Sequence, residues 1–231
     1  MALFWQEEKK PREYTVPDDV LDLSFRIRAR TLPVDHAHAL STALLEALPW
    51  LADEPRAGIH LIHVAESGNG WFRPEDPDTG LLHVSRRTRM SLRLPRERVA
   101  DARALTGQRL DVAGHVLEVG EAAEKLFVAS AVVFARYVVA EPDEEETAFL
   151  ERAAAGLREL GVGVRKLMAG RPHCFRLPGG VLHTRSLMVA DLSPEESVRL
   201  QQEGLGDGRK LGCGLFLPHK GIAAVKSEGD D

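Results

Sequence analysis

Residues 22–30, DLSFRIRAR, alternate between apolar and basic positions. Leu23, Phe25, Ile27 and Ala29 fall on one face of an extended chain and Arg26, Arg28 and Arg30 on the other, which predicts a strand with a basic face. Asp35 then stands where a helix cap belongs, and Leu40, Leu44, Leu48 and Leu51 form the apolar stripe of a helix from His36 to about residue 51. Residues 58–65, GIHLIHVA, read as a second strand. A long turn with Gly68, Gly70, Pro74, Pro77 and Gly80 follows, and the chain is extended again from 81 to 94. There Arg87, Arg89, Ser91 and Arg93 alternate with Thr88, Met90, Leu92 and Leu94, until Pro95 ends the run. A helical pattern at 96–106 and a strand at 110–119, folded around Gly114, complete the first half.

The order is strand, helix, strand, strand, helix, strand, which is the ferredoxin-like arrangement. The second half repeats it with a strand at 126–139, a helix at 143–160, strands near 165–177 and 181–190, a helix at 194–203, and a closing strand at Leu215, Phe216 and Leu217. The expected fold class is therefore α+β, with two tandem ferredoxin-like (RRM-like) units over residues 1–121 and 122–222. An acidic, disordered tail is expected at 223–231. First and third strands of such a unit are central neighbours, so Arg26, Arg28 and Arg30 are expected beside Arg87, Arg89 and Arg93 on a face that the helices leave open. Guanidiniums gathered there repel one another unless an anion binds, and an RNA backbone fits; pairing with scattered carboxylates is the alternative. The strand at 126–139, apolar on both faces, is expected to be buried between the halves.

A formal net charge of −5 argues against a polyanionic partner only until its distribution is considered. Acid is concentrated in the N-terminal arm, in the run Asp143, Glu144, Glu145 and Glu146, and in the tail, whereas arginine clusters elsewhere. The 143–146 run suits a helix start, where carboxylates meet the positive end of the dipole. The first residues, MALFWQEEKKPREY, are charged early and lack an apolar run of signal-peptide length, and no segment is apolar for 18 residues, so a cytosolic protein with no membrane partner is expected. Cys174 and Cys213 are the only cysteines and are expected to be reduced thiols. His60 and His63, three apart on a predicted strand, point to opposite faces and are poorly placed to share a metal. His83, His115, His173, His183 and His219 stand alone, so no metal and no cofactor is expected. Trp71 and Phe72, in the long turn, can stack on an unpaired base or fold back onto the sheet.

The segment 203–222, EGLGDGRKLGCGLFLPHKGI, sets Gly204, Gly206, Gly208, Gly212 and Gly214 around Arg209 and Lys210. Glycine density lets backbone amides approach an anion, and two cations add attraction for phosphate. A Walker loop is excluded because Gly208 is followed by Arg209, Lys210 and Leu211. A dinucleotide fingerprint is excluded because Arg209 stands where its third glycine belongs and because the order is reversed. Ser193, as cap, and Pro194 open a helix that precedes the glycines, and a strand follows them. A plain flexible turn is the other reading of the same spacing.

Two tandem ferredoxin-like units, a histidine at the start of the first helix and a glycine-rich loop before the last strand together resemble the CRISPR-associated repeat-processing endoribonucleases of the repeat-associated (RAMP) superfamily. LPVDHAHALSTALLEALPWL is most similar to the myxococcal subtype, and SRRTRMSLRLP and GLGDGRKLGCG carry the rest of the likeness, which spans about residues 22–222. The resemblance implies metal-independent cleavage of precursor CRISPR RNA by 2′-OH attack, leaving a 2′,3′-cyclic phosphate and a 5′-OH, with the product often retained alongside other subunits of a surveillance complex. It places the catalytic imidazole at His36 or His38, the Asp35-His36 pair favouring His36, and leaves the second catalytic group open. Arg209, Lys210, Arg87 and Arg89 are candidates to hold phosphate. A non-catalytic RNA-holding subunit of the same superfamily, and a small-molecule enzyme on the same scaffold, are the alternatives.

Overall fold

The computed structural model describes residues 14–64 and 80–219. In chain order the first half comprises β1 (Val20–Arg28), β2 (Thr31–Pro33), α1 (Ala37–Ala47), β3 (Gly58–His60), β4 (Leu81–His83), β5 (Arg89–Pro95), α2 (Val99–Ala102), β6 (Arg109–Val112) and β7 (His115–Lys125). Its main sheet runs β3-β5-β1-β7-β6, so β1 and β5 are central neighbours as the element order requires, and the hairpin strand β6 is added outside β7. Leu21, Leu23, Phe25 and Ile27 on β1, with Leu92 and Leu94 on β5, bury one face against Leu40 and Leu44 of α1. Each such side chain contributes about 1.5–3 kcal/mol by leaving water.

Three expectations need correction here. The extended run at 81–94 is two strands, because a turn in which the Thr88 amide donates to the Ser85 carbonyl (3.0 Å) separates them, and β4 pairs with β2 in a ribbon of its own. The helix at 96–106 shrinks to one α turn flanked by 3-10 turns. The strand at 58–65 stops at His60.

The second half comprises β8 (Val132–Val139), α3 (Glu146–Glu159), β9 (Lys166–Leu177), β10 (Gly180–Ala190), α4 (Pro194–Glu203) and β11 (Leu217–Pro218), in the sheet order β11-β8-β10-β9. Both sheets thus share one permutation, fourth-first-third-second, and the fold is a tandem ferredoxin-like α+β architecture. Val133, Ala135, Leu187 and Val189 pack beneath Phe149, Leu157 and Leu200. Ser193 opens α4 through a capping box: its hydroxyl accepts from the Glu196 amide at 3.3 Å, and the Glu196 carboxylate accepts from the Ser193 amide at 2.8 Å.

The two units share buried surface. Tyr137, Phe175 and Cys213 of the second half belong to the first half's apolar cluster, and Phe127 and Val198 close over Val20. β8 supplies this contact through Tyr137, but it starts at Val132 rather than at 126, and Leu126 and Val128 ahead of it are exposed, as is Arg136 within it. β7 stays paired to β1 as far as Lys125, so the first sheet runs past residue 121. The expectations for Trp71, Phe72 and the 223–231 tail lie outside the described residues. No helix among the described residues is long and apolar enough to cross a membrane.

Candidate functional site

Directly opposed residues of neighbouring strands share a face of the sheet. The register sets Asp22 opposite Arg93, Ser24 opposite Ser91 and Arg26 opposite Arg89, while β3 sets Gly58 beside Arg93 and His60 beside Ser91. The face turned away from α1 therefore carries an acid–guanidinium row, then a row of His60, Ser91 and Ser24, then a row of two arginines. The Ser91 hydroxyl donates to that of Ser24 at 3.2 Å. Arg26 and Arg89 are exposed, and Arg28 is exposed one step further, beside Glu118 of β7. Arg30 lies just past β1 and Arg87 in the turn before β5, both exposed.

Arg93 is a correction: it is wholly buried rather than part of a basic surface. Its Nε and Nη2 donate to Asp22 at 2.9 and 3.1 Å, its Nη1 donates to the Gln201 carbonyl at 2.6 Å, and its guanidinium lies 4.7 Å from the centre of the Phe127 ring. α4 covers this end of the sheet, so the arginine answers a neighbouring carboxylate instead of solvent. Burial works against ionisation of Asp22, but the charge of Arg93 and the hydrogen bonds from Arg93 and His60 outweigh it and hold the carboxyl far below its usual range.

His36 caps α1 and is buried. Nδ1 donates to the Pro33 carbonyl at 2.9 Å, with the Val34 carbonyl at 3.2 Å, and Nε2 accepts from the Ile62 amide at 3.0 Å. Those partners fix a neutral tautomer whose two nitrogens are spent on backbone. His36 thus ties the helix start to the segment after β3 and, as placed, does not face a substrate. Asp35 does not cap the helix; its carboxylate accepts from the Arg176 amide at 2.8 Å. His38 is exposed on the first turn of α1.

The glycine loop also departs from expectation. Gly204, Gly206, Gly208, Gly212 and Gly214 all take positive φ, which bends the chain tightly enough for its amides to bond inward: Leu205 to the Gly214 carbonyl (3.1 Å), Cys213 to Gly208 (3.1 Å), Gly214 to Tyr137 (2.7 Å). Arg209 donates to the carbonyls of Arg56, Ala57, Gln202 and Glu203, and Lys210 to those of Glu54 (2.6 Å) and Ala57 (2.7 Å). Burial lowers both groups, Arg209 to about 10 and Lys210 to about 8. Neither cation is presented to phosphate. The loop fastens the second unit onto residues 54–57 of the first, with Gly212 seated against Leu61 and the Ile59 carbonyl.

Beside that loop lies a cleft of about 150 Å³ between the units, lined by His60, His63, Arg136, Tyr137, Gly212 and His219 among others. Alternation assigns His60 and His63 to opposite faces, but β3 ends at His60 and the irregular chain beyond it brings both to the same cleft. His60 Nε2 lies 3.2 Å from Asp22 Oδ1. His63 stacks with Tyr137, centroids 6.1 Å apart, and His219 lies 5.9 Å from Phe134. No group of three metal-binding side chains is assembled among the described residues. A larger cleft, about 450 Å³, lies on the helix side of the second unit, where Glu159 and Glu203 line it and disfavour a polyanion.

The sequence model of the Cas6 CRISPR family matches residues 21–221. The CRISPR-associated endonuclease Cas6 of Myxococcus xanthus (strain DK1622) is 34% identical over 209 residues, covering 90% of this chain and 86% of that protein. Among solved structures, a CRISPR-associated Cas6 protein superposes with TM-score 0.60 at 11% identity, covering 87% of this chain and all of the other. A RAMP protein described as binding different RNA substrates superposes with TM-score 0.61 at 14% identity, again over 87% of this chain and all of that one. A Cas6-related protein from Pyrococcus furiosus has TM-score 0.58 at 12% identity, covering 85% of this chain and 97% of that one. These structures share the fold, and the sequence matches go further: the chain belongs to the Cas6 CRISPR family.

Proposed function

We propose that this protein is an endoribonuclease that binds CRISPR repeat RNA and cuts the precursor by attack of a 2′-OH on the adjacent phosphate. The products carry a 2′,3′-cyclic phosphate and a 5′-OH, proton transfer is by side chains rather than through a metal, and the mature RNA is retained with other subunits of a surveillance complex. The observation that carries the reading is the cross-strand pair Arg26 and Arg89, exposed side by side on a sheet face with Arg28 beyond. Like charges directly opposed destabilise a sheet, and a phosphodiester chain laid across them reverses the sign of that interaction. The Myxococcus xanthus relative, named an endonuclease, points the same way.

Of the two histidines at the start of α1, His38 is exposed, while His36 serves by holding the helix start. That sealing of His36 favours a second reading, a subunit that holds CRISPR RNA without cutting it. Incubating the pure protein with end-labelled repeat RNA in excess chelator separates the two. A cyclic-phosphate product is expected, and intact RNA held in a tight complex overturns the enzyme reading in favour of the holding subunit.

A further inference from the structure

We propose that His60, oriented by Asp22, is the catalytic general base that takes the proton from the attacking 2′-OH, with Arg136 of the same cleft balancing the charge of the scissile phosphate. The inference rests on the endoribonuclease reading above and names where its chemistry happens. Three observations meet at this residue. First, an ionised carboxylate only accepts, so the contact with Asp22 puts a ring proton on Nε2, and in the neutral imidazole Nδ1 is then the lone-pair nitrogen. Nδ1 has no hydrogen-bond partner among the described residues. This is the tautomer a base requires, and Asp22 is positioned to stabilise the imidazolium that forms. Asp22 in turn is held rigidly by Arg93, so the imidazole is oriented by a fixed group rather than a mobile one.

Second, His60 stands in the row next to Arg26 and Arg89 on the same sheet face, so a strand drawn across those arginines is led toward it. Third, it lines the cleft into which Arg136, exposed and with no ion pair among the described residues, also projects. His36 lacks all three properties. The step balances: Nδ1 takes the 2′-OH proton, the 2′ oxygen forms its bond to phosphorus, the bond from phosphorus to O5′ breaks, and O5′ gains a proton from water as the imidazolium returns its own to solvent.

Single-turnover cleavage of labelled repeat RNA, in chelator and at saturating protein, tests this with His60→Ala and His60→Gln, the second placing an amide donor near the position of Nε2 for Asp22. Both variants are expected to cut at least about 100-fold more slowly, with repeat affinity within about threefold of the parent protein, and added imidazole is expected to restore part of the rate to His60→Ala. The rate of the parent protein is expected to rise with pH through the titration of one base, a limb absent from both variants. Among the described residues, the charged and titratable groups facing that imidazole are Asp22 from β1, Arg93 from β5, His63 after β3, Arg136 from β8 and His219 after β11. His38→Ala and His63→Ala, which retain the His60 and Asp22 pair, are expected to keep the limb. If the parent protein cuts and both His60 variants cut equally fast, His60 is not the base and the endoribonuclease reading stands without it. If the parent protein does not cut at all, that reading and this inference fall together.

Discussion

Arg93 lies directly opposite Asp22 across the first sheet, and its Nε and Nη2 grip both carboxylate oxygens in a site closed by α4. A buried pair contributes little over an apolar substitute, but loss of one member leaves the other charged and alone. Arg93→Met is therefore expected to cost about 3–5 kcal/mol in urea unfolding, and the double variant Asp22→Asn, Arg93→Met to recover part of it. A single variant as stable as the parent protein would mean that the pair is not buried.

The exposed and the buried arginines are expected to separate cleanly. Arg26→Ala and Arg89→Ala should each lower repeat-RNA affinity and reduce the slope of log affinity against log salt by roughly 1, leaving the melting temperature almost unchanged. Arg209→Ala should do the reverse, costing at least about 2 kcal/mol of stability by abandoning buried carbonyls while the salt slope stays put. Parallel melting curves and salt titrations read both quantities.

Within the glycine loop, two substitutions isolate what each glycine is for. A Cβ at Gly214 strikes the Leu205 carbonyl and also demands left-handed backbone, so Gly214→Ala is expected to lose more than about 2 kcal/mol. At Gly206, φ is also positive but nothing lies within 4 Å of an added Cβ, so Gly206→Ala should cost only about 1 kcal/mol. Equal losses in denaturant titration would contradict this placement of the loop.

At the start of α4 the Arg165 guanidinium, together with the Ser193 and Gly163 amides, holds the Glu196 carboxyl at about 2. A depressed acid stabilises the fold above its unfolded value, and the benefit disappears as pH falls toward the folded one. Glu196→Gln is thus expected to be less stable than the parent protein at pH 7, with the gap closing between about pH 4.5 and 2. A gap independent of pH would assign the loss to packing instead. Ser193→Ala, which removes only the hydroxyl cap, should cost about 1 kcal/mol.

Much of the architecture was legible because it rests on local pattern. The alternation of β1 is that of a strand buried on one face, and the Ser193-Pro194-Glu195-Glu196 signal marks the start of α4 to the residue. What sequence could not supply was the result of one half meeting the other. Arg93 looks like Arg89 in the alternation, and only the packing of α4 over one end of the sheet divides them into a buried and an exposed residue. Arg209 and Lys210 read as phosphate ligands until residues 54–57 prove to be what they bind. Period-two alternation separates His63 from His60 only while the strand continues, and this one stops at His60. The repeated histidine in GIHLIH was the available hint of the cleft.

One consequence of Arg209 concerns how the chain folds rather than what it binds. Its guanidinium gathers carbonyls at 56–57 and at 202–203, from both halves at once. A fragment ending between the halves would strand the cation on one side and its acceptors on the other. The duplication is thus a matter of layout and not of autonomy: denaturation should proceed as one cooperative event, and neither half should persist as an ordered module when expressed by itself.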